Sequence, residues 1–289
     1  MSFLTVENLS HNYGSSEKDS RAAINNISFS LEKGEILGII GHTGSGKSTL
    51  VSHLNGLIKP TSGRILIDDV DIWSNPKEIK KIRSKVGLVF QYPEYQLFEE
   101  TVFDDIAFGP KNLGILGEEL NRVVLDAASL MQINDDLLDK SPFDLSGGQK
   151  RRVAIAGVLA MEPEIVVFDE PTAGLDPIGR DTIFNAITDY QNNKNSTIII
   201  VSHSMEDIAA VCDKVLVLNN GSVAMFGTTR NVFSNSEKLK ELGLGVPMIT
   251  DVFSQISKAV LDFNANPLTV EEAVAAVEKY YGKGGRSCD

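Results

Sequence analysis

Gly41-His42-Thr43-Gly44-Ser45-Gly46-Lys47-Ser48-Thr49 puts glycines, hydroxyls and one lysine into a single short run. Glycines at 41, 44 and 46 let a backbone curl until its successive N–H groups converge on one anion, which is how a polyphosphate is held. His42, Thr43 and Ser45 belong to that cradle through their backbones. Lys47 brings an ammonium able to reach the β- and γ-phosphates of a nucleotide, and the Ser48 hydroxyl is suited to Mg²⁺. Thr49 is a further phosphate contact. The flanks fit: Ile36-Leu37-Gly38-Ile39-Ile40 before the run reads as a buried strand. Leu50, Leu54 and Leu57 after it repeat at helical spacing, so a helix N-terminus faces the bound anion.

A second constellation is acidic. The apolar strand Ile165-Val166-Val167-Phe168 ends in Asp169-Glu170. A carboxylate at the strand tip, Asp169, suits Mg²⁺ through its water shell. Glu170 would then point towards the γ-phosphate, where a carboxylate orients or deprotonates the attacking water. Two acids at a strand end are often merely solvated, and the phosphate cradle is what gives this pair a role. A third group is Leu145-Ser146-Gly147-Gly148-Gln149, just ahead of a helix starting near Lys150. By itself it is a small-residue turn capping a helix, and such an N-terminus is again an anion site.

The elements that must position these groups follow from periodicity. Leu4 and Val6, then Ile27, Phe29 and Leu31, alternate with polar residues and mark strands, joined by a polar hairpin-type loop from Gly14 to Arg21. Val86–Phe90 is a further strand. From about Pro93 to Ala160 apolar residues recur at helical spacing, the pattern of an inserted helical subdomain. Strands return at Ile165–Phe168, Ile198–Val201 and Val215–Leu218 with helices between them, which predicts a parallel α/β sheet. After about Gly227 the strand signal fades. Near the end, Thr269-Val270-Glu271-Glu272 is a capping-box pattern. Val270, Ala273, Val274, Val277 and Tyr281 then form an apolar helix face that needs a partner surface, either its own domain or another subunit.

Bulk properties narrow the classes. A chain of 289 residues, 42% hydrophobic and 23% charged, is an ordinary folded composition. No run approaches the roughly 18 apolar residues that span a bilayer, and the N-terminus lacks a secretory pattern, so membrane association is expected only through partners. A formal charge of −12 disfavours nucleic-acid binding. The acidic surface either fits basic protein partners or serves solubility alone. Cys212 and Cys288 lack metal or redox spacing and read as reduced thiols of a cytosolic protein, Cys288 in a mobile tail.

With Leu145–Gln149 following the Gly41–Thr49 run, the sequence resembles the ATP-binding-cassette (ABC) ATPases, whose signature motif is this pentapeptide. The resemblance covers about residues 3–230. It implies an α/β P-loop NTPase fold: a RecA-like parallel sheet core, an N-terminal antiparallel β subdomain and an inserted helical subdomain, plus a small C-terminal helical region. Residues 1–230 would be the ATPase domain, with about 93–160 inserted, and 231–289 a mostly helical extension that could serve dimerisation. The resemblance further implies roles. Tyr13 would stack on adenine. Gln91 would contact Mg²⁺ and water, alongside Ser48 and Asp169 at the metal. Gly174-Leu175-Asp176 would cross a dimer interface, and His203 would hold the γ-phosphate. Lys47, Gln91, Glu170 and His203 would then be the catalytic set, and Ser146, Gly147, Gly148 and Gln149 would serve the ATP bound by a partner subunit.

A narrower resemblance rests on His53-Leu54-Asn55-Gly56-Leu57, on Gln91 to Val102, on Arg151 to Pro163 and on His203-Ser204-Met205-Glu206-Asp207. With Gly41 to Lys47 these look like the ATPases of energy-coupling factor (ECF) transporters, most like the second, A-prime type. It implies an ATPase on the cytoplasmic face of a prokaryotic cell membrane, driving uptake of vitamins or metal ions. The expected partners are a second cassette (identical or different, a heterodimer favoured), an ECF transmembrane subunit and, indirectly, a substrate-binding membrane subunit. Lys150 departs from many relatives, which carry Met or Gln there, without touching the chemistry. The alternatives are an ATPase of another ABC transporter class, or a soluble ABC ATPase acting on DNA or ribosomes. Lys47 and Leu145 stand too close for the long coiled coil of DNA-repair members, and one cassette argues against the ribosomal ones. The segment Glu94 to Asp105 mixes acids with Tyr95, Leu97, Phe98 and Phe103 and carries no basic residue, which suits a groove for a basic amphipathic helix.

Overall fold

The computed structural model describes residues 2–14, 21–259 and 265–283. Its centre is a six-stranded sheet in the order β10-β9-β3-β8-β7-β6. These are Ser222–Thr228, Lys214–Asn219, Ile36–Gly41, Thr197–Val201, Ile165–Asp169 and Val86–Val89. The five strands from β9 to β6 run parallel, so their C-terminal ends share one edge. In open α/β sheets that edge is where ligands bind. A second, antiparallel sheet orders β2 (Arg21–Leu31), β1 (Leu4–Tyr13), β4 (Ser62–Ile67) and β5 (Val70–Asp71). The loop expected between Gly14 and Arg21 lies mostly outside the described residues.

The central strands are buried on both faces, and successive residues feed different cores. Ile36, Ile40, Val166, Phe168, Ile198 and Ile200 pack on the helical side. Leu37, Ile39, Ile165, Val167, Ile199 and Val201 pack towards the antiparallel sheet and α1 (Lys47–Leu54), where Leu50, Val51 and Leu54 meet them. This two-sided burial is why these strands read as continuous apolar runs rather than alternating ones. Fully buried, Phe168 is one of the largest side chains in the core.

Between β6 and β7 come α3 (Val102–Asn112), α4 (Gly117–Leu130) and α5 (Gly147–Leu159), preceded by α2 (Ile79–Lys85). The helical stretch thus begins at Val102, where Thr101 caps the first turn; Pro93–Gln96 is a single tight turn. Beyond β7 lie α6 (Pro177–Lys194) and α7 (Met205–Val211). After β10 come α8 (Thr229–Ser234), α9 (Ser236–Glu241), α10 (Met248–Ala259) and α11 (Val270–Lys283).

Two features differ from the sequence reading. The main sheet is mixed, not wholly parallel, because β10 folds back antiparallel on β9. Its turn, Asn220-Gly221, has both residues at positive φ (48° and 77°), the hairpin geometry that an Asn-Gly pair signals in a sequence. The second is α11. Thr269 does accept from the Glu272 N–H, but the Glu272 carboxylate bonds the Leu268 N–H. Ala273 packs on Phe253 of α10, while Val270, Val274, Val277 and Tyr281 remain exposed. Cys212 is buried and unpaired, and burial pushes its thiol well up. Cys288 lies outside the described residues.

Candidate nucleotide site

The turn after β3 is shaped by its glycines. Gly46 sits at φ 104°, and a Cβ there would come within 2.8 Å of the Ala23 carbonyl. At Gly41 a Cβ would meet the Leu218 carbonyl of neighbouring β9 at 2.4 Å. Only glycine passes both points. Lys47, at the start of α1, is almost wholly buried and curls back on its own loop, its Nζ donating to Gly41 O (2.6 Å) and His42 O (3.0 Å). Burial lowers the affinity of Lys47 for its proton, while the nearby Glu170 and Asp169 work against that fall.

Asp169 ends β7. Glu170 follows in a left-handed conformation (φ 53°), which costs a non-glycine residue about 1–2 kcal/mol. Its N–H bonds the Val201 carbonyl of β8 at 3.0 Å, which holds the turn in place. Burial pushes both carboxyls up, and Lys47 opposes this at each. His203, just past β8, stands with Nε2 3.5 Å from Glu170 Oε1. That is too long for a strong hydrogen bond, and the Glu170 oxygen is buried without a partner. Burial also lowers the His203 pKa, and the nearby Lys47 and His42 act in the same direction.

Thr43, Gly44, Gly46, Lys47, Ser48, Thr49, Gln91, Asp169, Glu170 and His203 line one cleft of about 390 Å³ at the C-terminal edge of the sheet. Strand topology is the reason. Parallel β3, β6, β7 and β8 deliver the glycine-rich turn, Gln91, the two acids and His203 to the same side. Ala23, from β2, completes the wall and was not foreseen.

Other predicted residues stand apart from this cleft. None of Ser146, Gly147, Gly148 and Gln149 lines it. They form the start of α5 in a reciprocal cap: Ser146 Oγ accepts from Gln149 N–H, and Gln149 Oε1 accepts from Ser146 N–H. Added Cβ atoms at Gly147 and Gly148 would meet open space or one distant methyl group, so this helix end is uncluttered. Tyr13 does not line the cleft either. It is half-exposed at the end of β1, its hydroxyl 3.5 Å from Thr49 Oγ1, its ring edge-on to His11, which in turn packs on His53.

Two arginines that the sequence did not single out tie these loops together. Arg151 of α5 is buried. It donates two hydrogen bonds to Glu94 (3.0 and 2.7 Å) and a third to Ala173 O, just before Gly174-Leu175-Asp176. Arg180 of α6 pairs with Asp207 of α7 at 2.5 Å. Arg151 stands in the basic run Lys150-Arg151-Arg152, so its sequence neighbours do not mark it as the buried one.

The Glu94–Asp105 segment also differs from its sequence reading. Glu94 is consumed by Arg151, Asp104 by Lys111 (2.8 Å), and Asp105 by the N–H groups of Phe98 and Glu99. The cations come from elsewhere in the chain, which inspection of the segment alone misses. Of the five acids, Glu99 and Glu100 remain without a side-chain partner among the described contacts. A groove of about 440 Å³ is lined by Leu97, Phe98, Phe108, Leu113 and Met161, with Asp105, Lys80 and Arg83 also in its wall, and neither Glu99 nor Glu100 lines it.

Residues 24–173 match the family model described as ABC transporter. The chain is 50% identical over 277 residues to the energy-coupling factor transporter ATP-binding protein EcfA2 of Caldanaerobacter subterraneus subsp. tengcongensis, covering 96% of this chain and 97% of that protein. It is 48% identical over 286 residues to EcfA2 of Clostridium tetani, covering 99% of each. Among solved structures, cbiO1 from Clostridium perfringens, described as part of the ABC transporter complex cbiONQ, superposes with a TM-score of 0.74 at 40% identity. That match covers 88% of this chain and 99% of cbiO1. The dimeric ATP-binding cassette MJ0796, with ADP and phosphate bound, gives 0.70 at 28% identity over 78% of this chain and 99% of its own.

Proposed function

Since the chain belongs to the ABC transporter family, as an ATP-binding protein of energy-coupling factor transporters, we propose that the cleft at its sheet edge is where it binds and hydrolyses ATP. The protein is an ATPase whose hydrolysis drives import through a membrane partner. One observation carries the assignment of residues: a phosphate cradle, a lysine, two acids, a glutamine and a histidine line one cleft.

Within it, Lys47 leaves the Gly41 and His42 carbonyls for the β- and γ-phosphates. Glu170 orients the attacking water and takes its proton, and His203 holds the γ-phosphate. Gln91 contacts the same water, and Tyr13 offers its exposed ring to adenine. ATP hydrolysis in this family generally needs Mg²⁺. Ser48, Gln91 and Asp169 would hold the ion: all three offer oxygen atoms and share the cleft, and one carboxylate beside nucleotide phosphates is the usual Mg²⁺ arrangement. When bound, the ion neutralises charge on the phosphate oxygens.

Cassettes of this family dimerise. The uncluttered start of α5, Ser146–Gln149, is offered to the γ-phosphate of the partner's ATP, and the partner is a second, different cassette. Ser146→Arg tests this. Nucleotide binding to the isolated chain should stay within about twofold, while ATPase activity of the assembled complex falls roughly 100-fold as an electrostatic contact to the transferring phosphate is blocked. Loss of binding by the isolated chain would place the signature in its own site instead.

We divide the chain at about residue 230, into an ATPase domain with a helical insert near 93–160 and a C-terminal extension whose exposed Val270, Val274 and Tyr281 suit a subunit contact. Among the described residues no helix is long and apolar enough to cross a membrane. As an ATP-binding protein of energy-coupling factor transporters, it is held at the cytoplasmic face by an ECF transmembrane subunit, and reaches the substrate-binding subunit only through it. The groove lined by Leu97, Phe98 and Asp105, with Glu99 and Glu100 next to Phe98 in the sequence, receives a basic helix of that subunit. Glu99→Lys with Glu100→Lys should leave ATP binding unchanged but weaken co-purification with the membrane subunit by about tenfold or more. Normal assembly by the double mutant would remove this surface from the interface.

A further inference from the structure

The C-terminal extension touches the nucleotide site at two places. His42 projects out of the phosphate loop, and its Nε2 is hydrogen-bonded to the carbonyl of Leu242, two hundred residues away, where α9 ends. A carbonyl only accepts, so this nitrogen carries the proton. Gly243 follows at φ +68°, and a Cβ there would stand 3.1 Å from both Cε1 and Nε2 of His42. The turn is therefore closed down on the imidazole. It is anchored from below by Leu239 and Leu244, both buried and joined through Leu244 N–H to Leu239 O at 2.8 Å.

Five residues on, the Met248 N–H that opens α10 donates to Glu206 Oε1 at 3.2 Å. Glu206 lies in the first turn of α7, the helix that starts directly after His203. Gly245 also approaches Met205. One short segment, Leu242–Met248, thus bridges the loop that holds the phosphates and the helix behind the γ-phosphate histidine. The His42 peptide is at the same time a hub within its own loop: its carbonyl accepts from Ser45 N–H (3.1 Å) and from Lys47 Nζ (3.0 Å).

We propose that His42 is a positioning residue, and that the Leu242–Met248 segment is a strap through which nucleotide occupancy of the phosphate loop is transmitted to α10 and α11. This rests on the reading of Gly41–Thr49 as the phosphate site. When Lys47 transfers to phosphate, the His42 carbonyl loses a donor and the loop gains contacts that exist only in its closed form. A ligand that binds the ordered loop stabilises everything whose opening requires the loop to open. The strap is tied to that loop by His42, so its own opening becomes rarer.

The test is amide hydrogen exchange on the full-length chain, with and without ATP, with Mg²⁺ chelated to prevent turnover, beside a fluorescent-ATP titration. In wild type, amides of residues 242–248 should exchange at least about threefold more slowly with ATP. His42→Ala, read at an ATP concentration that its own titration shows to be saturating, should show no ATP effect on these amides. His42→Gln, which keeps an N–H donor, should recover part of it. Gly243→Ala should abolish the response too, since its methyl group pushes the turn off the ring. A strap that exchanges equally with and without bound ATP in wild type overturns the proposal, as does a wild-type response in His42→Ala. Absence of nucleotide binding by wild type would instead overturn the phosphate-site reading, and the strap with it.

Discussion

Glu170→Gln is expected to bind ATP within about threefold of wild type and to hydrolyse it at least about 100-fold more slowly, the scale of a lost general base. Glutamine copies the shape of the side chain but cannot take a proton. The fold already prepares the carboxylate. Its Oε1 is buried with no hydrogen-bond partner, and burial raises its proton affinity. Both favour a group that holds a water and accepts its proton. With hydrolysis stopped, the ATP-bound pair of cassettes should persist. Size-exclusion chromatography should show a stable ATP-dependent dimer, and a phosphate-release assay should show almost no product. A mutant that neither binds ATP nor dimerises would give Glu170 a structural task only, that of the left-handed turn bonded to Val201.

Lys47→Ala should be more severe at the binding step. Each charge-assisted hydrogen bond from an ammonium to phosphate contributes about 1.5–3 kcal/mol, and Lys47 can make more than one. ATP affinity is therefore expected to fall about 100-fold or more, with hydrolysis undetectable. The alanine also strands the Gly41 and His42 carbonyls to which the ammonium donates. Some loss of thermal stability without nucleotide should accompany the loss of binding. Calorimetric titration with ATP and a melting curve of the nucleotide-free protein measure the two effects separately. Wild-type turnover in the assembled complex would remove Lys47 from the chemistry.

What the sequence made legible was contiguous. The Gly41–Thr49 turn sits whole between a strand and a helix, and Asp169-Glu170 directly ends an apolar strand, so motif and context are read together. Pairings across long stretches of chain were not legible. Glu94 reads as a free acid within its own segment although Arg151 pairs with it, Arg180 gives no hint of Asp207, and His42 none of Leu242. Weak strands were missed for another reason. In β10 every side chain is half-buried or exposed, so the alternation that marks a strand is diluted. Tyr13 was found by resemblance alone, because one aromatic residue at a strand end carries no pattern.

Because neighbouring residues of β7 serve opposite cores, the strand is sensitive to length more than to composition. Ile165 and Val167 face α1, and Asp169 continues that series into the cleft, while Val166 and Phe168 face the helices. Replacing Ile165 with valine alters volume on one side only, at a cost of about 1 kcal/mol. Deleting one residue would be a different order of event. A slip of one position turns every side chain of the strand to the other face. Phe168 would be driven against α1, and the carboxylate of Asp169 would be buried among the apolar groups under α5, across the sheet from Lys47. The spacing between the start of β7 and its two acids thus works as a counted length, by which the fold decides on which side of the sheet its negative charge emerges.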